Sequence, residues 1–397
     1  MSFDPSNAPA VAAETSRLSR AAFIVGALAA GGAIAYGTAH PDLFFHSYLL
    51  AFMFWNGLTV GSLAVLMLQY LTGGAWGISI RRELEAASRM LPWTALAFLP
   101  IAFGMHTLYE WTHTDAVAHD ELLRKKAAYL NEPFFLVRAA LAFAIWIVLM
   151  LALNRWSREQ DGRADHKAID RKLQLLSGGG LVAWALTTTW TSVDWVMSLE
   201  PHWFSTMYGV IYMAGQGLGA LALATFAVVR LAHARPVSEF LGGRHRHDLG
   251  KMMFAFTMFW AYVTFSQYLI VWSGNLPEEI SWYLARFRGG WGAVGVAVLL
   301  LQFVLPFLLL LSRRANRNTR TLSIAAALVV FMRFVDLAWM ILPAFSRGHF
   351  AIHPTDLTVP IALGGLWLGI YFRYLGAQPL LPVHDPGFEE ALAHGRE

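Results

Sequence analysis

Long apolar stretches separated by short polar connections dominate this sequence and limit what it can fold into. A stretch of roughly 20 apolar residues is long enough to cross a hydrocarbon layer about 30 Å thick as an α-helix. The sequence contains ten such stretches, at 18–37, 44–71, 90–111, 133–154, 173–198, 204–232, 250–273, 291–311, 321–344 and 357–377. It therefore predicts an all-α polytopic membrane protein with about ten transmembrane helices.

Composition supports this class and excludes others. Hydrophobic residues make up 56% of the 397 residues and charged residues only 14%, whereas about 25% of the residues of soluble domains are charged. The chain has no cysteine, which excludes disulfides, cysteine-ligated iron-sulfur clusters and thiol catalysis within it. The connections are too short for a nucleotide-binding or other extramembrane domain, so any catalysis would be intramembrane.

The distribution of Lys and Arg predicts how the chain lies in the membrane. Of the 30 basic residues, 22 fall in the N-terminal leader, the even-numbered connections and the C-terminal end, six fall in the odd-numbered connections, and two lie inside spans. The formal charge of +4 is thus a topology signal, and we expect no nucleic acid as a partner. The positive-inside rule places both termini in the cytoplasm. We predict a multi-pass protein of the bacterial inner membrane, with a leader at 1–17, a membrane domain at 18–377 and a tail at 378–397.

Ionisable side chains inside the predicted spans are the candidate functional residues, since each costs about 2.5–3.5 kcal/mol near mid-bilayer. Most lie toward the predicted periplasmic side, and His106 and Glu110 form an i,i+4 pair at the end of the third span. A histidine beside a carboxylate can exchange protons near neutral pH, although an interfacial pair near water explains the same pattern. The proton-path candidates are His106, Glu110, Asp194, Arg333 and Asp336, and weaker candidates are His46, Arg138, Glu200 and His202.

Arg333 and Asp336 are the deepest charges, about 18 and 22 Å into the ninth span at 1.5 Å per residue. Their i,i+3 spacing puts them on one helix face. One interpretation is a self-neutralising structural ion pair, and the other is a charged link in a proton path or beside a bound head group. A bis-histidine haem site is disfavoured, because only His106 lies inside a span while His46 opens one.

Pairs of glycines four residues apart predict close helix packing. They occur at Gly57 with Gly61, Gly215 with Gly219 and Gly365 with Gly369, and a triplet occurs at 178–180. Other polar features have ordinary explanations. Pro277 with Glu278 and Glu279 is typical of a helix start, Glu121 with Lys125 and Asp120 with Arg124 are surface pairs, and the arginines at 313, 314, 317 and 320 mark topology with contact to anionic lipid.

Several segments together resemble a known family. They are LTGGAWGISIRRELEAA from Leu71, YEWTH from Tyr109, AAYLNEPFF from Ala127, SVDWVMSLEPHWFSTMYG from Ser192, FAFTMFWAYVTFSQYLIVWSGNLPEEISWY from Phe254, LLSRRANRN from Leu310 and MRFVDLAWMI from Met332. The sequence is similar to the NrfD or polysulfide-reductase-type membrane subunits, in particular to the smaller of the two in bacterial alternative complex III. The resemblance covers most of the chain.

The resemblance implies two four-helix bundles, spans 2–5 and 6–9, flanked by the first and last helices. It also implies a quinol:electron-acceptor oxidoreductase complex in which a larger NrfD-like subunit oxidises quinol. Expected partners are that subunit, a periplasmic iron-sulfur protein, multihaem and monohaem cytochromes c, other small membrane subunits and lipid, with a terminal oxidase as an open alternative. Haem c and iron-sulfur clusters would then belong to the partners, and no cofactor is expected directly on this chain.

Three functional hypotheses remain at this point. The first is proton translocation coupled to quinol oxidation in the sister subunit, with His106, Glu110, Asp194 and Asp336 in a periplasmic half-channel and Arg333 near its inner end. The alternatives are a passive membrane anchor or a second quinone-binding subunit, and neither requires catalysis by this chain. A stand-alone transporter is disfavoured, because paired broken helices are not evident in the two halves.

Overall fold

The computed structural model describes residues 9–162, 167–346 and 349–396. Within these ranges the protein consists of helices and turns, and no strand is present. Nine of the described helices are long and apolar enough to cross a membrane. Outward-facing side chains such as Leu28, Phe103 and Leu175 are 74, 83 and 69% exposed, as expected for a surface that meets lipid rather than water. The protein is an all-α polytopic membrane protein, as predicted.

Ten long helices form the body of the fold. They are α1 (Pro9–Gly37), α2 (Pro41–Thr72), α3 (Ala75–Phe103), α4 (Glu132–Asp161), α5 (Lys167–Trp195), α6 (Tyr208–Leu231), α7 (Gly243–Gly274), α8 (Trp291–Leu311), α9 (Thr319–Ile341) and α10 (Thr355–Gly376). Short helices connect them at Met105–Leu108, Thr114–His119, Glu121–Lys126, Val237–Phe240, Pro277–Phe287, Arg313–Arg317 and Pro343–Ser346, with 3₁₀ turns at Glu110–Thr112 and Met197–Leu199. A last helix covers Phe388–Arg396.

Two of the long helices depart from regular geometry. α3 is made of three pieces, Ala75–Ser88, Leu91–Ala97 and Leu99–Phe103, and proline stands at the start of the second and third pieces, where it supplies no N–H to the preceding turn. α8 contains a π-helical segment at Leu299–Val304. π-Helical segments occur frequently at functional sites.

Nine of the ten predicted spans coincide with helices that are apolar enough to cross a membrane. The span predicted at 173–198 coincides with α5, which has 29 residues but is less apolar because it contains three glycines and three consecutive threonines. The third span was predicted at 90–111, whereas α3 begins earlier, at Ala75. The first piece of α3 carries four charged residues between 81 and 85, and these charges hid the helix from an argument based on apolar length.

The helices form two bundles and a flanking pair. In the first bundle α2 packs against α3 and α5, and α4 packs against α5 and the middle piece of α3; in the second, α6 packs against α7 and α9, and α8 against α7 and α9. α1 and α10 pack tightly on each other, and α10 also contacts α2. The bundles meet where α6 packs on α2 and α5. This is the predicted arrangement of spans 2–5, spans 6–9 and two flanking helices.

Glycines set the closest of these contacts. A Cβ on Gly61 would lie 2.3 Å from the backbone oxygen of Gln216 on α6, and a Cβ on Gly26 would lie 2.8 Å from the Cα of Gly365. Gly57 and Gly61 of α2 therefore face α6 at the crossing between the two bundles, and Gly219 of α6 faces Leu58 of α2 there. In the triplet, Gly180 packs against Met67, whereas a Cβ on Gly179 would meet nothing within 4 Å, so only part of that prediction holds.

Both described ends of the chain lie at one end of the bundles, where most of the basic connections are found. Glu14 near the start of α1 pairs with His233 after α6, and His394 of the last helix pairs with Asp248 of α7. The ring of Phe388 stacks on Phe240, 5.3 Å between centroids. We call this the basic end, and the tail predicted at 378–397 is thus folded against it as far as the described residues extend.

Candidate functional site

The central ionisable pair lies inside the second bundle. Arg333 and Asp336 of α9 are each 3% exposed, and Nη1 of the arginine bonds to the carboxylate as the i,i+3 spacing predicts. Gln302 lies in the π-helical segment of α8 and is fully buried. Its amide donates to the carbonyl oxygen of Met332 at 2.8 Å and accepts from Arg333 at 3.2 Å. The extra turn width of the π-helix therefore brings a polar side chain of α8 to the pair on α9.

α6 makes room for the arginine. A Cβ on Gly215 would lie 2.2 Å from Nη2 of Arg333, so the guanidinium rests directly on glycine backbone. Beside it, between the two bundles, is a small cavity lined by Gly57, Tyr212, Gln216 and other residues of α2, α6 and α9. The cavity has room for about one water molecule. The glycine pairs thus serve both helix packing and the placement of a buried cation.

A second buried pair lies toward the opposite end from the basic end. Arg286, on the short helix Pro277–Phe287, is fully buried and donates to Glu200 at 2.7 Å and to the carbonyl oxygen of Met340 at 2.6 Å. Its guanidinium carbon lies 3.7 Å from the ring centre of Trp282. Tyr208, 1% exposed, is close enough to Arg286, Glu200 and Asp336 to interact electrostatically with all three. Tyr208 is thus near both this pair and the central pair.

Sequence reasoning found Glu200 only as a weaker candidate and missed Arg286. Because Arg286 falls in a connection between spans, it counted as a topology charge. The helix Pro277–Phe287, whose start at Pro277 was correctly predicted, turns the arginine into the protein. Its i,i+4 spacing to the aromatic residue at 282 was the available signal.

Asp194 and Arg138 form a closed ion pair within the first bundle. Asp194 is fully buried, and two N–H groups of Arg138 donate to its carboxylate oxygens at 2.6 and 3.0 Å. Arg138 also donates to the carbonyl oxygen of Tyr129 at 3.0 Å, and its guanidinium carbon lies 3.9 Å from the Tyr129 ring centre. The pair joins α4 to α5 through two hydrogen bonds. This geometry is that of a structural cross-link.

The predicted i,i+4 pair of His106 and Glu110 is wrong. The helix containing His106 ends at Leu108, and Tyr109 is extended, with φ −120° and ψ 118°, so the two side chains do not share a helix face. His106 is instead 3.4 Å from Glu132, and its side chain is 64% exposed. Glu110 is also exposed. The spacing argument assumed one regular helix. The helix is instead interrupted several times, the last time at Gly104, which caps the short helix Met105–Leu108.

The remaining candidates, His46 and His202, lie toward the end of the bundles opposite the basic end. The ring of His46 stacks on Phe345 with centroids 3.8 Å apart. His202 bonds through Nε2 to Asp120 at 2.5 Å, and its side chain is 56% exposed. Asp120 also caps the helix Glu121–Lys126, and the backbone N–H of Leu123, with further bonds from His202 and Leu122, lowers the pKa of its carboxyl group. Asp120 thus caps a helix and pairs with His202 rather than forming the predicted pair with Arg124.

At the basic end, α3 carries a buried charge cluster that sequence reasoning missed. Arg81, Arg82 and Glu85 are at most 1% exposed. Both arginines bond to Glu85, at 3.1 and 2.8 Å, and each reaches a second carboxylate: Arg81 bonds to Asp385 and Arg82 to Asp161, both at 2.6 Å. The cluster ties α3 to α4 and to the tail. The signal available was the i,i+3 and i,i+4 spacing of the two arginines to Glu85.

Glu83, in the same turn of α3, has no such partners. It is 1% exposed, and within the described residues neither of its carboxylate oxygens meets a hydrogen-bond donor from another residue. The hydroxyl of Tyr371 on α10 and both amide atoms of Asn56 on α2 are likewise buried without a partner in the described chain. Tyr371 is near enough to Glu83 to interact electrostatically with it. Buried polar groups of this kind are usually satisfied by water.

No protein-family model matches the sequence, and no curated protein matches it. In the ranges 9–162, 167–346 and 349–396, no three His, Asp or Glu side chains come together as metal ligands.

Proposed function

We propose that this chain is a proton-translocating membrane subunit of a quinol-oxidising respiratory complex, of the NrfD-like type called ActF in alternative complex III. The family assignment rests on the sequence resemblance. Proton movement rests on one observation: buried ionisable and polar groups lie at the basic end, at the centre and toward the opposite end of the bundles. Glu83 and Tyr371 lie at the basic end, Asn56 precedes the cavity-lining Gly57 on α2, Arg333 and Asp336 lie at the centre, and Tyr208 and the Glu200–Arg286 pair lie toward the opposite end.

Each of these groups has a chemical role. Glu83, a carboxylate without a bound cation, can take up and release a proton near the basic end. Asn56, Tyr371 and Gln216 are uncharged groups that can orient water between that end and Arg333. Asp336 is the acceptor at the centre, and the contact of Arg333 with Gln302 offers the guanidinium a second partner while the carboxylate is protonated.

The proposed path differs from the one that spacing suggested. Glu200, Arg286 and Tyr208 take the outer position in place of His106 and Glu110, which are exposed and apart. Asp194 is left out, because Arg138 neutralises it inside the first bundle. Asp336 and Arg333 keep the central position.

The basic end faces the cytoplasm in this proposal, in a bacterial inner membrane, so that Glu83 takes up protons there and Glu200 releases them outside. Quinol oxidation would occur in the larger sister subunit, with haem c and iron-sulfur clusters on periplasmic partners. A reporter fused after the C-terminus should be active only in the cytoplasm, and one inserted near Asp120 only outside. The reverse pattern would contradict the direction of the path.

The central test measures protons moved per quinol oxidised by the intact complex in liposomes. Asp336→Asn and Glu83→Gln keep size and polarity, so both complexes should assemble and yet move fewer protons per quinol. Glu121→Gln, which removes an exposed carboxylate paired with Lys125, is the matched control and should change nothing. Arg333→Gln should impair assembly more than Asp336→Asn, because it leaves a buried carboxylate without its cation.

An unchanged proton stoichiometry in well-assembled Asp336→Asn and Glu83→Gln complexes would refute proton translocation by this chain. The passive-anchor alternative would then account for the protein. Purification without haem-bearing and iron-sulfur partners, together with solute transport by the isolated chain in liposomes, would refute the family assignment itself.

A further inference from the structure

A basic pocket lies at the basic end, between α6, the start of α7 and the start of α9. Its volume is about 640 Å³, and its lining includes Arg230, His233, Arg246 and Arg320 together with the hydroxyl-bearing Thr319 and Ser323. Among the residues that the structure describes, no aspartate or glutamate lines it. The pocket also receives the N-terminus of the 23-residue α9, whose helix dipole favours an anion.

The three arginines are not neutralised by carboxylates in the described part of the chain. Arg246 donates to the backbone oxygens of Leu241 and Arg317, at 2.8 and 2.9 Å. These bonds fix the position of its side chain, but the acceptors are neutral and do not cancel its positive charge. Arg230 and Arg320 are exposed at the pocket. The carboxylate at the margin is Glu14, 3.2 Å from Nε2 of His233. The pocket therefore carries net positive charge.

A long apolar cleft adjoins the basic pocket along α6 and α9. It has a volume of about 750 Å³ and separates the flanking pair, α1 and α10, from α6 and α9 of the second bundle, with α2 as its floor. Nearly all of its lining is apolar, including Leu18, Phe226, Ala327 and Phe331. It is open to the side, toward the surface that would face lipid.

The pocket and the cleft follow each other by single helical turns. Phe226 of the cleft precedes Arg230 of the pocket by four residues on α6, and Ala327 follows Ser323 by four residues on α9. On α1, Leu18 follows Glu14 by the same interval. Along α10 the lining of the cleft runs from Phe372 to Asp356, about 24 Å at 1.5 Å per residue, which is most of a hydrocarbon layer about 30 Å thick. A positive pocket at the membrane boundary thus continues into an apolar cleft long enough for an acyl chain.

We propose that this pocket and cleft bind one anionic phospholipid, with its phosphate between Arg230, Arg246 and Arg320 and an acyl chain in the cleft. The lipid fills the gap between the flanking pair and the second bundle and so holds them together. Charge selects the head group and the cleft selects a chain, so neither a free phosphate nor a zwitterionic lipid satisfies both parts. The inference does not depend on proton translocation.

The test measures lipid binding to the purified, delipidated full chain in detergent by native mass spectrometry, with dioleoylphosphatidylglycerol, dioleoylphosphatidylcholine and glycerol phosphate as probes. Only phosphatidylglycerol should bind tightly and raise the thermal midpoint. Arg230→Gln with Arg320→Gln should weaken it about 30-fold, which corresponds to about 1 kcal/mol for each arginine. Arg313→Gln with Arg314→Gln makes the same charge change at exposed positions outside the pocket and should weaken binding less than about threefold.

The cleft is tested separately by Ala327→Trp, which should weaken phosphatidylglycerol binding about tenfold by occupying the space of the chain. Equal binding of glycerol phosphate and phosphatidylglycerol would identify a site for free phosphate compounds and overturn the lipid proposal. Equal binding of phosphatidylcholine, or binding that survives the Arg230 and Arg320 changes, would also overturn it. Added salt should weaken the binding of phosphatidylglycerol to the unmodified protein. Binding that does not change with salt would count against the proposal.

Discussion

Glu83 and Glu85 lie two residues apart on α3 and are equally buried, yet the structure predicts opposite results when each is changed to glutamine. Glu85 accepts hydrogen bonds from Arg81, Arg82 and Ser157, the last at 2.6 Å. Glu83 meets no donor from another residue within the described chain. The substitution is the same in chemistry and in size at both positions, so only the surroundings differ.

The magnitudes follow from these contacts. Breaking a buried ion pair costs about 3–5 kcal/mol. Because Arg81 and Arg82 keep second carboxylates in Asp385 and Asp161, we expect Glu85→Gln to cost about 3 kcal/mol, at the lower end of that range. Glu83→Gln replaces a buried carboxyl group that accepts no hydrogen bond from another residue by an amide of the same size, so we expect no loss of stability and at most a small gain.

The assay is thermal unfolding of the purified protein in detergent, followed by tryptophan fluorescence. With an unfolding entropy of about 2.1 cal/mol/K per residue, a loss of 3 kcal/mol over a chain of this length lowers the midpoint by about 4 °C. Glu85→Gln should show this drop, and Glu83→Gln should show none. Equal drops for both variants would refute the reasoning, since they would mean that the partners of Glu85 contribute nothing beyond burial.

Three further predictions follow from single contacts. Arg138→Gln leaves Asp194 buried without its cation and should cost about 3–5 kcal/mol in thermal unfolding, with a much smaller loss for Arg138→Lys; similar losses for both would contradict the ion-pair account. Gly61→Ala places a Cβ 2.3 Å from a backbone oxygen of the facing helix and should cost about 1–3 kcal/mol, whereas Gly179→Ala, which meets nothing within 4 Å, should be neutral or stabilising by up to about 1 kcal/mol. The hydrogen bonds that Asp120 accepts lower the pKa of its carboxyl group. The ionised carboxylate therefore stabilises the helix fully above the ordinary carboxyl pKa, and this stabilisation is lost as pH falls through the lowered pKa of the folded protein. The protection of amides in the helix that it caps, measured as the exchange rate relative to an unfolded peptide at the same pH, should therefore fall below about pH 4, and Asp120→Ala should show low protection at every pH; protection in the unmodified protein that does not change with pH would contradict the assignment.

The sequence alone determined the class of the fold, because the forces that set it are local or depend only on composition. A helix in a bilayer satisfies its backbone within itself, so apolar length was enough to place nine of the ten predicted spans on helices apolar enough to cross a membrane. The pairing of Arg333 with Asp336 was predictable for the same reason, since both lie on one unbroken helix. The glycine pairs predicted close packing, but they did not predict that Gly61 would face Gln216.

The tertiary structure decided which charges meet across helices. Arg138 and Asp194 are 56 residues apart in sequence, and Glu200 and Arg286 are 86 apart, so no spacing rule could pair them. His106 and Glu110 do not pair because the helix ends between them, and helical periodicity in the sequence does not predict that end. Helical spacing brings Arg81 and Arg82 to Glu85 and not to Glu83, and the tertiary structure adds Ser157 of α4 to Glu85. Ion pairs and buried unpaired groups depend on the distances between separate helices, and those distances are fixed only when the helices pack.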